Sequence, residues 1–131
     1  MLLPPGAYLL RFEGWATRKH LGRTAKVVLR LQVCDQGPYM GQAMQRWYNV
    51  KRLIGPPRKS GGFAAGWSSD LYREFVSIVG ETERRDRIPL TKYSKLLLRG
   101  ELETVTTDRN QRPLHPGLHY SVVRRLGPAE L

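Results

Sequence analysis

Hydrophobic and polar side chains alternate with a two-residue period over much of the first part of the chain. Over residues 7–15 (AYLLRFEGW), Tyr8, Leu10 and Phe12 share one face while Arg11 and Glu13 share the other, which predicts a half-buried strand. Residues 26–34 (KVVLRLQVC) repeat the pattern, with Val27, Leu29, Leu31 and Val33 set against Lys26, Arg30 and Gln32. Between them lies TRKHLGRTA, a polar basic turn centred on Gly22, so the two strands form a long hairpin with a positively charged tip. QGPYMGQ supplies a second turn. Residues 45–51 (QRWYNVK) then make a third strand, with Arg46, Tyr48 and Val50 on one face and Gln45, Trp47, Asn49 and Lys51 on the other.

No period is sustained over residues 52–66 (RLIGPPRKSGGFAAG), where Gly, Pro and cations dominate, and a long flexible basic connection is expected there. The helix signal that follows is the clearest in the chain. SSDLYREFVSIVG offers Ser68 or Ser69 as N-cap, Asp70 in the first turn, an apolar stripe of Leu71, Phe75, Ile78 and Val79, and Gly80 as the stop. After ETERRDRIPLTKYS, a polar and irregular stretch in which Pro89 breaks any helix, residues 95–107 (KLLLRGELETVTT) predict a fourth strand. DRNQ makes a turn, PLHPGLH a loop, and residues 120–126 (YSVVRRL) a fifth strand.

The expected fold class is therefore all-β with one helix: three strands in a meander, the helix, and two more strands. That order is the signature of the five-stranded Greek-key barrel called the OB-fold, whose helix between strands three and four caps one end. Other small β-rich folds with one helix share the order. A length of 131 residues suits a single domain, and 40% hydrophobic residues suffice for a modest core.

Charge extends this from architecture to partner. The 22 Lys and Arg against 11 Asp and Glu leave +11, which concentrates phosphate backbones and repels basic partners. Between Glu13 and Asp70 the cations Arg18, Lys19, Arg23, Lys26, Arg30, Arg46, Lys51, Arg52, Arg58 and Lys59 face one acid, Asp35, and Trp15, Tyr39, Trp47, Tyr48, Phe63 and Trp67 are interleaved with them. Cations attract a polyanion and flat rings stack on bases, so the combination points to single-stranded nucleic acid. In an OB-fold the second and third strands present the oligonucleotide face, flanked by the loops joining strands one to two and four to five. Lys26, Arg30, Arg46, Lys51, Arg52, Arg58 and Lys59 are the expected phosphate contacts, with Arg18, Lys19, His20 and Arg23 at the hairpin tip. Arg109, Asn110 and Arg112 add an opposite wall. Alternation sends one of Trp47 and Tyr48 inward; Trp47 is expected outward, beside Gln45, Asn49 and Lys51, unless it covers a barrel end. Trp47, Tyr48 and Phe63 are the candidate stacking rings. Phe63 and Trp67 either close over a strand as a flap or anchor the loop to the core, and Trp67, beside the helix cap, suits anchoring.

Catalytic and metal chemistry find little support. His115 and His119 are four apart, but HPGLH contains Pro116 and Gly117 and should not be helical, and no paired Cys or clustered acids complete a ligand set. Glu81, Glu83, Asp86, Glu101, Glu103 and Asp108 are interspersed with arginines as surface partners, Glu101 and Glu103 solvating their strand or pairing with Arg99. No Walker loop or nucleophile elbow is present, so no catalytic residue, no metal site, no cofactor and no enzyme activity is expected. Cys34 stands alone as a small half-buried hydrophobe, which suits a reducing compartment. No spanning segment, lipidation motif or basic leader is seen, so the expected compartment is the cytoplasm, with no membrane partner.

PPGAYLLRF, GPYMG, RWYNVKRL, the helix SSDLYREFVSIVG and the late strand LLLRGELETVT together resemble the OB-fold single-stranded DNA-binding proteins of bacteriophages and integrated mobile elements. The similarity spans most of the stretch from Pro4 to Leu126. It implies largely sequence-independent binding of single-stranded DNA during DNA replication or DNA recombination. One departure stands out: many such proteins end in an acidic tail that recruits partner enzymes, whereas this chain ends RRLGPAEL with Glu130 as the only nearby acid, so recruitment by a tail is not expected. Two alternatives stay open: a mobile-element interaction module whose basic face binds an acidic protein surface, and an RNA-binding OB-fold protein, since no pattern that reads a 2′-hydroxyl is identifiable. Coating of a strand favours self-association into a homo-oligomer through an exposed edge.

Overall fold

Alternating side chains bury one face of each strand, and in the computed structural model, which describes residues 2–66, 69–82 and 88–129, the three alternating stretches form an antiparallel meander. Its strands are β1 (Gly6–His20), β2 (Thr24–Val33) and β3 (Ala43–Asn49). β1 runs five residues beyond the predicted end at Trp15, because the polar stretch read as a turn continues the ladder as far as His20 opposite Thr24. An exposed ladder needs no apolar period, so hydropathy alone misplaces its end. A bulge between Phe12 and Gly14 inserts Glu13 and bends β1.

Residues 52–66 are more ordered than a connecting loop. β4 (Arg52–Ile54) and β5 (Gly62–Ala64) pair as a short hairpin, and Lys59 bridges Ala16 on the free side of β1. Strands of three residues are too short for alternation to register, which is why the sequence shows none. Phe63 and Ala65 are buried in the main core, so the hairpin is anchored there.

α1 (Asp70–Ile78) starts at Ser69, whose backbone is extended and whose side-chain Oγ accepts the Tyr72 N–H at 3.2 Å. The other candidate cap, Ser68, and Trp67 lie outside the described residues, as do Glu83, Asp86 and Glu130. Leu71, Tyr72 and Phe75 are buried, and Ile78 and Val79 pack half-buried against the same core. Pro89 does not end all helical structure: it precedes a 3₁₀ segment, Leu90–Lys95, whose Leu90 and Tyr93 are fully buried. A missing N–H is harmless at a helix start.

β6 (Leu97–Val105) pairs with the other side of β1 over Gly6 to Arg11, and β7 (Tyr120–Pro128) pairs with β6. The result is a mostly β fold with a five-stranded antiparallel sheet in the order β3-β2-β1-β6-β7, and α1 is the one α-helix among the described residues. The sheet is not closed: β3 and β7 are its edges and share no ladder. A bulge on β7 leaves Arg124 unpaired in the register, so Arg124 and Arg125 are both exposed. Glu103 pairs with Arg124 at 3.1 Å across the hairpin and not with Arg99.

α1 packs against both edges, and one carboxylate joins them. Glu74 Oε2 lies 2.6 Å from Arg46 Nη2 on β3, while Oε1 accepts the Tyr48 hydroxyl and the Leu126 N–H of β7, each at 2.8 Å. Arg46 is 9% exposed, its guanidinium 4.3 Å from the centre of the Tyr48 ring. Burial pulls the Arg46 guanidinium down, but Glu74 and Tyr48 together outweigh it and the net shift is upward. Burial and then the Glu74 charge push the Tyr48 hydroxyl well above its ordinary value, and the same two causes raise Tyr93.

Two consequences are measurable by denaturant unfolding. Glu74→Ala leaves a buried guanidinium unpaired and is expected to cost about 3–5 kcal/mol, much of it recovered when Arg46→Met is added; a loss equal to that of an exposed carboxylate contradicts the bridging role. The Tyr93 hydroxyl is buried without a hydrogen-bond partner among the described residues, so Tyr93→Phe should be neutral or stabilising. Because the folded Tyr48 and Tyr93 hold their protons longer than the unfolded chain does, the stability they contribute is complete below a pH of about 10 and declines above it. Tyr93→Phe should make that alkaline decline shallower.

Candidate nucleic-acid interface

Strand register decides which cations meet. The outward residues of β2 are Lys26, Val28, Arg30 and Gln32, since Val27, Leu29, Leu31 and Val33 fill the core. Across the ladders Lys26 stands between Arg18 and Asn49, Val28 between Ala16 and Trp47, and Arg30 between Gly14 and Gln45. Ala16 in turn pairs with Lys59. Directly opposed residues share a face, so Arg18, Lys26, Arg30 and Lys59 lie on the same face as Trp47, with buried Ala16 and Val28 between Lys59 and the indole.

Trp47 is 44% exposed, as alternation predicts, and its indole N–H donates to the Gln45 side chain at 3.1 Å. Arg30 lies flat across the face: a Cβ on Gly14 would stand 2.5 Å from its guanidinium Nη2, and Gly14 has φ +147°, which other residues rarely adopt. The β4–β5 hairpin fixes one border. Thr17 and Arg58 exchange backbone and hydroxyl hydrogen bonds of 2.9 and 3.0 Å, and the Trp15 indole donates to the Gly61 carbonyl at 2.9 Å.

Between the two unpaired edges, along the outer side of β3, runs a cleft of about 600 Å³. Trp47, Gln45 and Lys26 line it from one side, with His20 from the hairpin, and Tyr120 and Val122 of β7 line the other. Tyr120 is 52% exposed, so the cleft has an accessible ring on each edge strand. The sequence reading missed Tyr120. Its signal was an aromatic opening a strand immediately after a Pro/Gly loop, where the core has no claim on it.

Several predicted site residues are placed elsewhere. Arg46 is committed to Glu74, Tyr48 is 3% exposed with its hydroxyl on the same carboxylate, and Phe63 is buried in the core. None of these three presents a surface to a ligand, because the inward face of β3 and the root of the β4–β5 hairpin belong to the core. Lys19 and Arg23 are exposed at the β1–β2 tip. Lys51, on the link from β3 to β4, and Arg52, the first residue of β4, are exposed, and the Lys51 N–H donates to the Ala64 carbonyl at 3.0 Å. Arg58 is exposed beside Lys59, its guanidinium against Gly55. Arg109 and Arg112 are exposed on the turn between β6 and β7, held by Asp108, which accepts the Asn110 and Arg112 N–H groups at 2.8 and 3.0 Å.

Among the described residues no group of three His, Cys, Asp or Glu is arranged to hold a metal ion. Pro116–Leu118 forms a single 3₁₀ turn, and His115 Nδ1 accepts the Gly117 N–H at 3.1 Å. Cys34 is a free, half-buried thiol. No helix among the described residues is long and apolar enough to cross a membrane.

Gly14→Ala tests the packing of this face. It should cost about 1–3 kcal/mol of stability through backbone strain at φ +147°, and adding Arg30→Ala should return little of it, because the guanidinium is the free end of a flexible side chain and can move aside; unchanged stability of Gly14→Ala in denaturant unfolding would contradict the strain. Comparison of the chain with protein-family models, curated proteins and solved structures finds no match.

Proposed function

We infer that this protein binds single-stranded DNA with little sequence preference, along the outward face of β1 to β3 and into the cleft between β3 and β7, and that it catalyses no reaction. The observation that carries this reading is the pairing of two accessible rings, Trp47 and Tyr120, in one cleft bordered by Lys26 and His20. A volume of about 600 Å³ falls within the range of roughly 300–1,000 Å³ typical of ligand clefts. Each base stacked on a ring contributes about 1–3 kcal/mol without regard to its identity, and Arg18, Lys26, Arg30 and Lys59 neutralise the phosphates that connect successive bases. Duplex DNA hides its base faces and cannot use the rings.

The same geometry supports the OB-type barrel. β3 and β7 approach each other with α1 packed against both, and Glu74 supplies side-chain hydrogen bonds where a ladder would close the sheet. An intracellular role in the replication or recombination of a phage or mobile element follows from the family resemblance together with this site. Arg46, Tyr48 and Phe63 are assigned to stability and not to binding.

Titration of labelled oligo-dT, duplex DNA and RNA at several salt concentrations tests the reading. With four to six phosphates contacted, the slope of log affinity against log salt should be about −3 to −4 for the single strand. Trp47→Ala and Tyr120→Ala should each weaken oligo-dT binding by about 1–3 kcal/mol while the fold is retained. Equal affinity for duplex, a flat salt response, or wild-type affinity in both variants contradicts it; tighter binding of RNA would reassign the ligand, and loss of a protein complex with DNA affinity unchanged would favour an acidic protein partner.

A further inference from the structure

The turn between β1 and β2 presents a side chain that neither its backbone nor the core explains. Leu21 has φ +53° and Gly22 has φ +69°, and Arg23 N–H donates to the His20 carbonyl at 3.0 Å, so both central residues of this tight turn are left-handed. Asn, Asp or Gly normally fills the first of these positions, because in this conformation a larger side chain crowds the backbone. Burial does not offset the strain, since Leu21 is 75% exposed. Around it stand Arg18, Lys19, His20 and Arg23, all exposed.

An apolar side chain held out at the apex of a basic hairpin has the form of a wedge that enters a base stack, and strained backbone at such a place is a mark of function. Its position fits. His20, the residue before Leu21, lines the cleft that holds Trp47 and Tyr120, so a strand that passes His20 on leaving the cleft next meets Leu21. Arg18 and Lys19 precede the turn and Arg23 follows it, a placement suited to two diverging phosphate backbones.

We propose that Leu21 packs against the terminal base pair where a single strand joins a duplex, so that the protein prefers forked DNA to an isolated strand. This inference rests on the single-strand reading of the cleft and adds to it the structure of the DNA recognised. A protein that only coats single strands has no use for the leucine.

The test measures binding of a fork with an oligo-dT arm, and of the same arm alone, with 2-aminopurine in the first pair of the duplex. Wild type should bind the fork about five- to tenfold more tightly than the arm and raise the 2-aminopurine emission as that pair unstacks. Leu21→Met keeps the apolar reach and should retain both effects. Leu21→Asn suits the turn, so its thermal midpoint should not fall; its oligo-dT affinity should match wild type while fork preference and emission change are lost. If wild type and Leu21→Asn treat fork and arm alike while both bind the arm, the wedge is overturned and the single-strand reading stands. If wild type binds neither DNA, both fail. Binding of wild type to phosphatidylserine vesicles, lost in Leu21→Asn with fork binding unchanged, would assign the tip to a lipid surface and also overturn the proposal.

Discussion

The arrangement depends on a single carboxylate placed between two strand edges. Glu74 receives Arg46 and Tyr48 from β3 and the Leu126 N–H from β7, so it ties together edges that no ladder joins. A hydrogen-bonded ladder would draw the strands to within about 5 Å along their whole length. A side-chain tie acts at one point. Near Glu74 the edges are bound, whereas Gln45, Trp47 and Tyr120 border an open cleft. Desolvating this ion pair has a cost, and an apolar replacement of similar volume is often no less stable. What Arg46 and Glu74 add is a fixed spacing of the two edges at Leu126.

Alternation along β3 then separates two duties. Met44, Arg46 and Tyr48 point into the core and toward α1, while Gln45, Trp47 and Asn49 point outward. Because neighbouring residues of one short strand are divided this way, the chemistry that stabilises the sheet does not compete for the surface proposed to bind DNA. The β4–β5 hairpin extends this surface by setting Lys59 beside Ala16, on the free side of β1. Local charge is thus concentrated by strand pairing and not by proximity in the chain.

The parts of this structure legible in the sequence are those governed by local periodicity. The five long strands, the helix and the outward setting of Trp47 follow from apolar spacing, because burial of one face is the dominant local constraint, whereas residue type alone leaves the cap open between Ser68 and Ser69. Arg46 shows where that logic stops. A cation on an otherwise apolar face looks like a surface residue until its partner is known, and Glu74 lies 28 positions away on an element that only tertiary packing brings near. Tyr48 and Phe63 were candidates because aromatic character alone does not separate core from surface. Tyr120 gives no local signal of its place, because only the tertiary arrangement of the edge strands sets it across the cleft from Trp47. The extension of β1 to His20 leaves no apolar period, because cations and not hydrophobic residues carry its end.

Ultraviolet cross-linking of the wild-type protein to oligo-dT, followed by mass-spectrometric mapping of the adducts, addresses the central claim most directly. The account predicts adducts on Trp47 and Tyr120, one from each edge of the opening. Adducts confined to Tyr8 and Tyr39, which line a separate pocket at the far end of the β1–β2 hairpin, would contradict it.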